Sequence, residues 1–150
     1  MPQSQQRRRA HGRILVLLTA GMLLSTPAWA GEIVARITAP GAVTGEIGCS
    51  LFSKPETFPL KPDQAVTLWL PAAPETACRF TNIAPGRYAL AVSHDRNGNR
   101  RLDENFFGIP TEAWGVSGNI RPSLRAPRFD EAAFSVAADG TTEIAIEVLE

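Results

Sequence analysis

The chain has 150 residues and equal numbers of basic and acidic side chains, 15 of each. Four of the basic residues lie among the first thirty positions, which contain no acidic residue, so residues 31–150 carry 11 basic and 15 acidic side chains. This acidic balance argues against a nucleic-acid partner, because affinity for phosphate backbones needs clustered Lys and Arg.

The N-terminal segment has the three parts of a secretory signal peptide. A basic stretch at residues 7–13 precedes a short apolar run at residues 14–24, and residues 28–30, Ala-Trp-Ala, form a small-x-small cleavage site. The apolar run is too short for a transmembrane helix, which needs about 20 residues. We therefore expect cleavage after residue 30 and export to the periplasm or the medium, without membrane insertion. The alternative is a buried N-terminal helix.

The remaining chain, residues 31–150, is long enough for one domain. Its apolar side chains alternate with polar or small ones in seven short runs, a pattern that predicts β-strands. The runs lie at residues 32–37, 47–51, 66–70, 78–80, 88–92, 132–136 and 144–148. Such a series predicts an all-β fold, a single antiparallel β-sandwich of about seven strands. One long irregular segment, residues 99–128, exceeds ordinary loop lengths, and such segments are usually functional or packed as lids.

Two connections have the composition of specific turns. Residues 84–87, Ala-Pro-Gly-Arg, suit a type II turn in which Pro85 presets φ and Gly86 takes a positive φ. Residues 139–140, Asp-Gly, predict a hairpin between the last two strands.

The two cysteines, Cys49 and Cys78, both follow the predicted leader. In an exported chain, an even pair without metal-type spacing predicts a disulfide. Closing a loop of this length stabilises a fold by about 3–4 kcal/mol through chain entropy. Two separately buried thiols are the alternative, whereas a redox-active pair usually has C-x-x-C spacing.

The polar stretch at residues 94–105 can be aligned with a calcium-binding loop. Its candidate ligands are the side chains of Asp95, Asn97, Asn99 and Asp103, with the backbone carbonyl of Arg101. Calcium takes six to eight oxygen ligands, and this spacing lets one turn supply several of them. The alternative is an ion-free turn in which the Asp and Asn side chains cap their own backbone.

Three features weaken the calcium match. Arg100 takes the position of the bend glycine, and Phe106 that of the closing Glu. Three arginines against two carboxylates also make a poor cation site, unless Glu104 or Glu112 completes the shell. We therefore expect any calcium affinity to be weak, roughly 10⁻⁴–10⁻³ M.

Residues 83–119 resemble a bacterial family of unknown function, domain of unknown function 2141. The shared motifs are Pro-Gly-x-Tyr at residues 85–88, His-Asp-x-Asn-x-Asn-x-x-Leu-Asp at 94–103, Gly-Ile-Pro-x-Glu at 108–112, and aromatic-Gly-x-Ser-x-Asn at 114–119. A weaker likeness extends to residues 133–134. Arg100 stands where the family usually has Gly, and Val116 where it usually has Phe. The resemblance implies a small exported β-sandwich, transthyretin-like or immunoglobulin-like, and brings no established activity.

An enzyme would need a nucleophile, a base or a metal in a defined geometry. His94 is the only histidine after residue 30 and could act as the base of a hydrolase, with Ser93 or Ser117 as nucleophile. The alternative is a histidine that packs or hydrogen-bonds at a strand end. Zinc is disfavoured because one His and two bridged Cys leave too few ligands. Two neighbouring carboxylates could instead act as the acid and base of glycoside hydrolysis. The candidates are Asp103, Glu104 and Glu112.

A binding module is the second function class. Phe106, Phe107 and Trp114 lie in the long segment after the polar turn and could stack on a small ligand, a glycan or a partner protein. The alternative is that they cover the open end of the sandwich. We predict a non-enzymatic exported domain with no certain cofactor, calcium at the 95–103 turn being the candidate.

Overall fold

The computed structural model describes residues 30–42 and 44–150, so the predicted leader lies outside the described residues except for Ala30. Eight strands form the fold in the described part of the chain. They are β1 Gly31–Thr38, β2 Glu46–Phe52, β3 Val66–Pro71, β4 Glu75–Ile83, β5 Gly86–Asp95, β6 Trp114–Val116, β7 Phe134–Val136 and β8 Thr141–Glu147. A single helical turn, α1, covers Phe129–Ala132. Three 3-10 turns complete the elements: Pro55–Thr57, Pro62–Gln64 and Ser117–Asn119.

The strands form two sheets that pack against each other. The three-stranded sheet has the order β4-β1-β8, and the five-stranded sheet has the order β3-β2-β5-β6, with β7 also paired to β5. This arrangement confirms the predicted all-β sandwich. One pair departs from the antiparallel prediction, because β8 runs parallel to β1, from Glu32 opposite Thr141 to Thr38 opposite Glu147.

The strands β7 and β8 belong to different sheets. The turn at residues 137–140 carries the chain across the sandwich instead of folding it into a hairpin. Gly140 has the positive φ expected of the turn, +86°, but the predicted pairing of the last two strands is wrong. The strand predicted at 132–136 begins only at Phe134, because α1 takes up Ala132.

The main core lies between the sheets and comes from the inward side chains of both. Ile33 and Ile37 of β1 face Ile47 of β2 and Leu90 of β5, and all four are buried. The disulfide between Cys49 and Cys78 is confirmed. Because Cys49 lies on β2 and Cys78 on β4, this bond ties one sheet to the other through the core.

The connection between β4 and β5 also crosses from one sheet to the other. The Tyr88 hydroxyl donates to the carbonyl of Ala84, 2.9 Å away, as in the tyrosine corner of other sandwiches. The predicted type II turn is wrong in its detail: Asn82, with φ +58°, has the left-handed conformation, and Gly86 does not.

A second, smaller core covers one end of the outer face of the five-stranded sheet. It contains Phe52, Phe58, Val116 and Phe129. The Phe58 ring stands edge-on to those of Phe52 and Phe129, with centroids 5.3 and 6.0 Å apart. The other end of this outer face is left open. Within the described part of the chain, no helix is long and apolar enough to cross a bilayer.

Candidate functional site

Four residues form one row across the outer face of the five-stranded sheet. Gly48 lies opposite both Trp69 and Ser93, and Ser93 lies opposite Trp114. Neighbouring strands are about 4.8 Å apart, so the two tryptophan Cα atoms stand roughly 14 Å apart. The row therefore has a tryptophan at each end and the smallest side chains between them.

The floor between the tryptophans stays low for a structural reason. A Cβ at Gly48 would lie 2.5–3.0 Å from three ring atoms of Trp69, so the ring needs glycine beneath it. The next row along the sheet is also small, with Ser50 opposite Ala91. The Ser50 hydroxyl is 2.9 Å from that of Thr67, which satisfies both groups.

Three segments rise around this floor: residues 59–62, 100–110 and 121–127. Together with the sheet they enclose a cleft of about 720 Å³, which we call the outer cleft. This volume is within the usual range for small-molecule sites. Its rim exposes large apolar side chains, and a contiguous exposed patch of this kind usually marks a binding site. They are Leu60 at 71% exposure, Phe107 at 81%, Ile109 at 59% and Leu124 at 99%.

Two of the three predicted aromatic residues line the outer cleft, and one lies outside it. Phe107 and Trp114 line the outer cleft, whereas Phe106 is 97% exposed and lies outside it, with its ring edge-on to Phe107. The alternative that these residues cover the end of the sandwich is wrong for Phe106 and Phe107, because both rings point into solvent. Trp69 was not predicted, although it lies out of phase with the core residues Leu68 and Leu70.

Four arginines line the outer cleft. Arg100 forms two 3.0 Å hydrogen bonds with Glu46, which lower the pKa of that carboxyl, and its guanidinium carbon is 5.7 Å from the Trp69 ring centroid. Arg125 forms a similar pair with Glu131, which raises the pKa of Arg125. The remaining two are Arg101 and Arg121.

Arg121 is held at the edge where the sheets meet. Its guanidinium donates to the backbone carbonyls of Trp114 and Leu149, and its central carbon is 4.9 Å from the Trp114 ring centroid. Trp114 and Leu149 are themselves joined by backbone hydrogen bonds of 2.9 and 3.2 Å. Arg101 donates from its backbone to Asn99, and in the described part of the chain its guanidinium has no hydrogen bond or ion pair.

The five predicted calcium ligands lie together on one turn, residues 95–103. Asp95 is fully buried, and its two oxygens accept from the backbone N–H groups of Gly98 and Arg100, at 2.8 and 2.6 Å. The side-chain amides of Asn97 and Asn99 donate to the two oxygens of Asp103, at 2.6 and 2.8 Å.

The amide oxygens of this turn are also engaged. Those of Asn97 and Asn99 each accept a backbone N–H two residues further on, at 3.0 and 2.8 Å. Among residues 30–42 and 44–150, no group of three or more His, Cys, Asp or Glu side chains is placed to hold a metal ion. The Asp and Asn side chains of the turn therefore already hydrogen-bond to its backbone and to one another. Calcium would have to displace the hydrogen bonds from Asn97 and Asn99 to Asp103. Calcium binding stays a prediction.

A residue outside the turn fastens it. Glu112 is buried, and its two oxygens accept the backbone N–H groups of Arg96 and Asp103, at 2.9 and 3.1 Å. The carboxylate of Glu112 therefore has a structural role at the base of the turn.

Arg100 has φ +57°, the left-handed conformation that glycine adopts most easily. This explains why glycine suits the position. Its ion pair with Glu46 and its contact with Trp69 fix the side chain on the neighbouring strands.

The proposed hydrolase residues are not brought together. His94 is buried, its Nε2 is 2.8 Å from the carbonyl oxygen of Thr44, and it lines a smaller cavity of about 330 Å³. Ser93 directly precedes His94 on the strand and therefore faces the opposite side of the sheet. Ser117 is buried, donates to the carbonyl of Ala132 at 2.6 Å and accepts the N–H of Leu90. In the described residues, no hydrogen bond joins His94 to either serine.

Comparison with known proteins identifies the family of the chain. No curated protein and no solved structure matches the chain. The sequence profile of one family matches residues 36–145. The match covers all eight strands in whole or in part, the polar turn and the outer cleft, so the chain belongs to the family described as an uncharacterized protein conserved in bacteria (DUF2141).

Proposed function

We propose that the protein is a non-enzymatic, exported module that binds a small, largely apolar molecule in the outer cleft. The observation that carries this proposal is the open half of the five-stranded sheet, where small side chains lie between Trp69 and Trp114. A sheet face that only needed covering would place larger side chains there, as it does at Phe52 and Phe58.

The character of the rim favours an apolar ligand over a glycan. Leu60, Phe107, Ile109 and Leu124 are all more than half exposed. Exposing them costs free energy, at about 25 cal/mol per Å² of apolar surface, that a bound apolar molecule would recover. A glycan would need many convergent hydrogen-bonding groups instead, and Ser50 is already satisfied by Thr67.

Two features support the remaining parts of the proposal. The Cys49–Cys78 disulfide is compatible with an oxidising compartment, in agreement with the leader-like sequence of residues 1–30. Among the described residues no hydrogen bond joins His94 to Ser93 or Ser117, and both oxygens of Glu112 accept backbone N–H groups of the polar turn.

The experiment is a titration of the exported chain with N-phenyl-1-naphthylamine, a neutral apolar probe whose fluorescence rises on burial. We expect saturable binding that Ala91→Phe, which fills the cleft floor, weakens by about tenfold or more, equivalent to about 1.4 kcal/mol. Ala77→Phe, on the exposed side of β4 in the other sheet, is the matched control and should bind as the parent does. Unsaturable fluorescence, or equal binding by both folded variants, would reject the outer cleft as a site.

A further inference from the structure

The charge of the outer cleft is opposite to that of the chain around it. Residues 31–150 carry 11 basic and 15 acidic side chains, yet the cleft is lined by four arginines and two glutamates. Basic residues therefore outnumber acidic ones in the lining of the cleft.

Two of the arginines are already neutralised within the fold. Arg100 pairs with Glu46, and Arg125 pairs with Glu131, each through two hydrogen bonds. These pairs shape the walls of the cleft and leave little charge for a ligand.

The other two keep their charge. Arg121 donates only to backbone carbonyls, and the Arg101 guanidinium has no partner in the part of the chain that the structure describes. Of the two lining glutamates, Glu150 pairs with Arg96, and Glu104 has no ion pair among the described residues. Arg101 and Arg121 thus supply two positive charges against the one negative charge of Glu104, and the cleft keeps a net positive charge.

Guanidinium groups bind carboxylates through paired, charge-assisted hydrogen bonds. Arg121 is also fixed in place, since its hydrogen bonds and its position over Trp114 hold the side chain at the end of the tryptophan row. The same cleft has an apolar rim, formed by Leu60, Phe107, Ile109 and Leu124. The cleft therefore combines a place for an anionic headgroup with a place for an apolar body.

We infer that the outer cleft binds a free anionic amphiphile, a carboxylate carried on an acyl-type chain, with its headgroup at Arg121 and Arg101 and its chain along the apolar rim. The inference rests on the proposed function and specifies the ligand of the same site. A neutral apolar molecule would leave the two arginines unused, and a cationic one would be repelled by them.

Displacement of N-phenyl-1-naphthylamine tests the headgroup. Dodecanoate, dodecan-1-ol and dodecyltrimethylammonium have equal chain lengths and differ in charge. We expect dodecanoate to displace the probe at concentrations about tenfold lower than dodecan-1-ol, with dodecyltrimethylammonium the weakest. Arg121→Gln and Arg101→Gln should each reduce the preference for dodecanoate over dodecan-1-ol, with each displacement measured relative to the variant's own affinity for the probe. Arg36→Gln, on β1 of the other sheet, removes the same charge and should keep the preference.

The outcomes separate the two proposals. Probe binding with equal displacement by dodecanoate and dodecan-1-ol overturns the anionic ligand and leaves the apolar cleft standing. No probe binding at all overturns both. If Arg121→Gln fails to fold, the exposed Arg101→Gln decides the question. Sedimentation with anionic phospholipid vesicles, without displacement by free dodecanoate, would overturn the inference in favour of a membrane surface.

Discussion

The carboxylate of Glu112 accepts the backbone N–H of Asp103 at 3.1 Å, and so ties the end of the polar turn to the segment that follows it. Its second oxygen accepts the N–H of Arg96 at 2.9 Å, at the start of the same turn. Two sequence motifs that are separate along the chain are therefore one structural unit. The turn depends on Glu112 for its shape.

Glu112→Gln should destabilise the protein by about 1–3 kcal/mol, because the amide retains one acceptor and turns an NH2 group toward the second N–H. Urea unfolding followed by circular dichroism measures the change. Glu104→Gln, an exposed change in the same segment, should stay within about 0.5 kcal/mol of the parent. Equal unfolding midpoints for both variants would show that Glu112 does not hold the turn.

The left-handed backbone of Arg100 predicts an unusual order of stabilities. Arg100→Gly and Arg100→Ala both remove the ion pair with Glu46, but only glycine adopts φ +57° without a penalty. We expect the glycine variant to be the more stable by about 1 kcal/mol. Thermal and urea unfolding of the two proteins, compared directly, test the order. An alanine variant as stable as the glycine variant would show that the left-handed backbone at residue 100 is not strained.

Gly45 allows the β1–β2 connection to pass close to the start of the polar turn. A Cβ there would lie 2.1 Å from the carbonyl oxygen of Asp95, whereas Gly140, also at positive φ, has nothing within 4 Å. Gly140→Ala should cost about 1 kcal/mol for its backbone conformation alone. Gly45→Ala should cost about 1–3 kcal/mol more, because the backbone must shift. Similar unfolding free energies for the two variants would refute the close contact.

Glu131 predicts a loss of stability in acid. Hydrogen bonds from Arg125 and from the backbone N–H of Arg128 lower the pKa of Glu131 to about 2, from an ordinary value of 4.5. A lowered pKa means that the folded state binds the proton more weakly, so its stabilisation is complete above about pH 4.5 and is lost as the pH falls toward 2.

Unfolding free energies measured between about pH 6 and about pH 3 test this dependence. Glu131→Gln should lose less stability over that interval than the parent does. Glu56→Gln, an exposed change that removes the same charge, is the control and should follow the parent. A Glu131→Gln variant with the parental pH dependence would contradict the assignment.

Calcium is tested by thermal unfolding with about 10 mM calcium, above the weak range of extracellular sites, and then with a chelator. A ligand at 100 times its dissociation constant adds about 2.7 kcal/mol, or several degrees. A calcium site predicts such a rise, whereas an unchanged unfolding temperature would support the ion-free turn in which Asn97 and Asn99 satisfy the Asp103 carboxylate. A rise that disappears in Asp103→Ala and persists in Glu104→Gln would instead establish the calcium site.

The strands that alternate strictly in sequence were predictable, because a period of two separates the two faces of a half-buried strand. In β8, Ile146 is buried and Glu147 is exposed, as the alternation requires. β6 was missed because three residues carry no period, and its pairing with Ser93 of β5 decides its place. The Asp139-Gly140 turn was recognised by its residue types, but these fix φ and do not determine which sheet receives the next strand.

The candidate site was predictable only in part, for a similar reason. Phe107 and Trp114 were recognised as aromatic residues beside a polar turn, and both line the outer cleft. The row from Trp69 to Trp114 depends on the order β3-β2-β5-β6. That order follows from tertiary packing, and no local pattern around Trp69 or Gly48 encodes it.

Because β1 pairs with β8, the three-stranded sheet cannot form completely until the last strand of the chain is available. While the polypeptide is still emerging from a ribosome or a translocation pore, β1 has only β4 as a neighbour, since residues 141–147 follow every other strand. Closing such a long loop is slow, because its entropy must be overcome before the contact forms. Under the proposed export, the three-stranded sheet would stay incomplete until residues 141–147 had crossed the membrane.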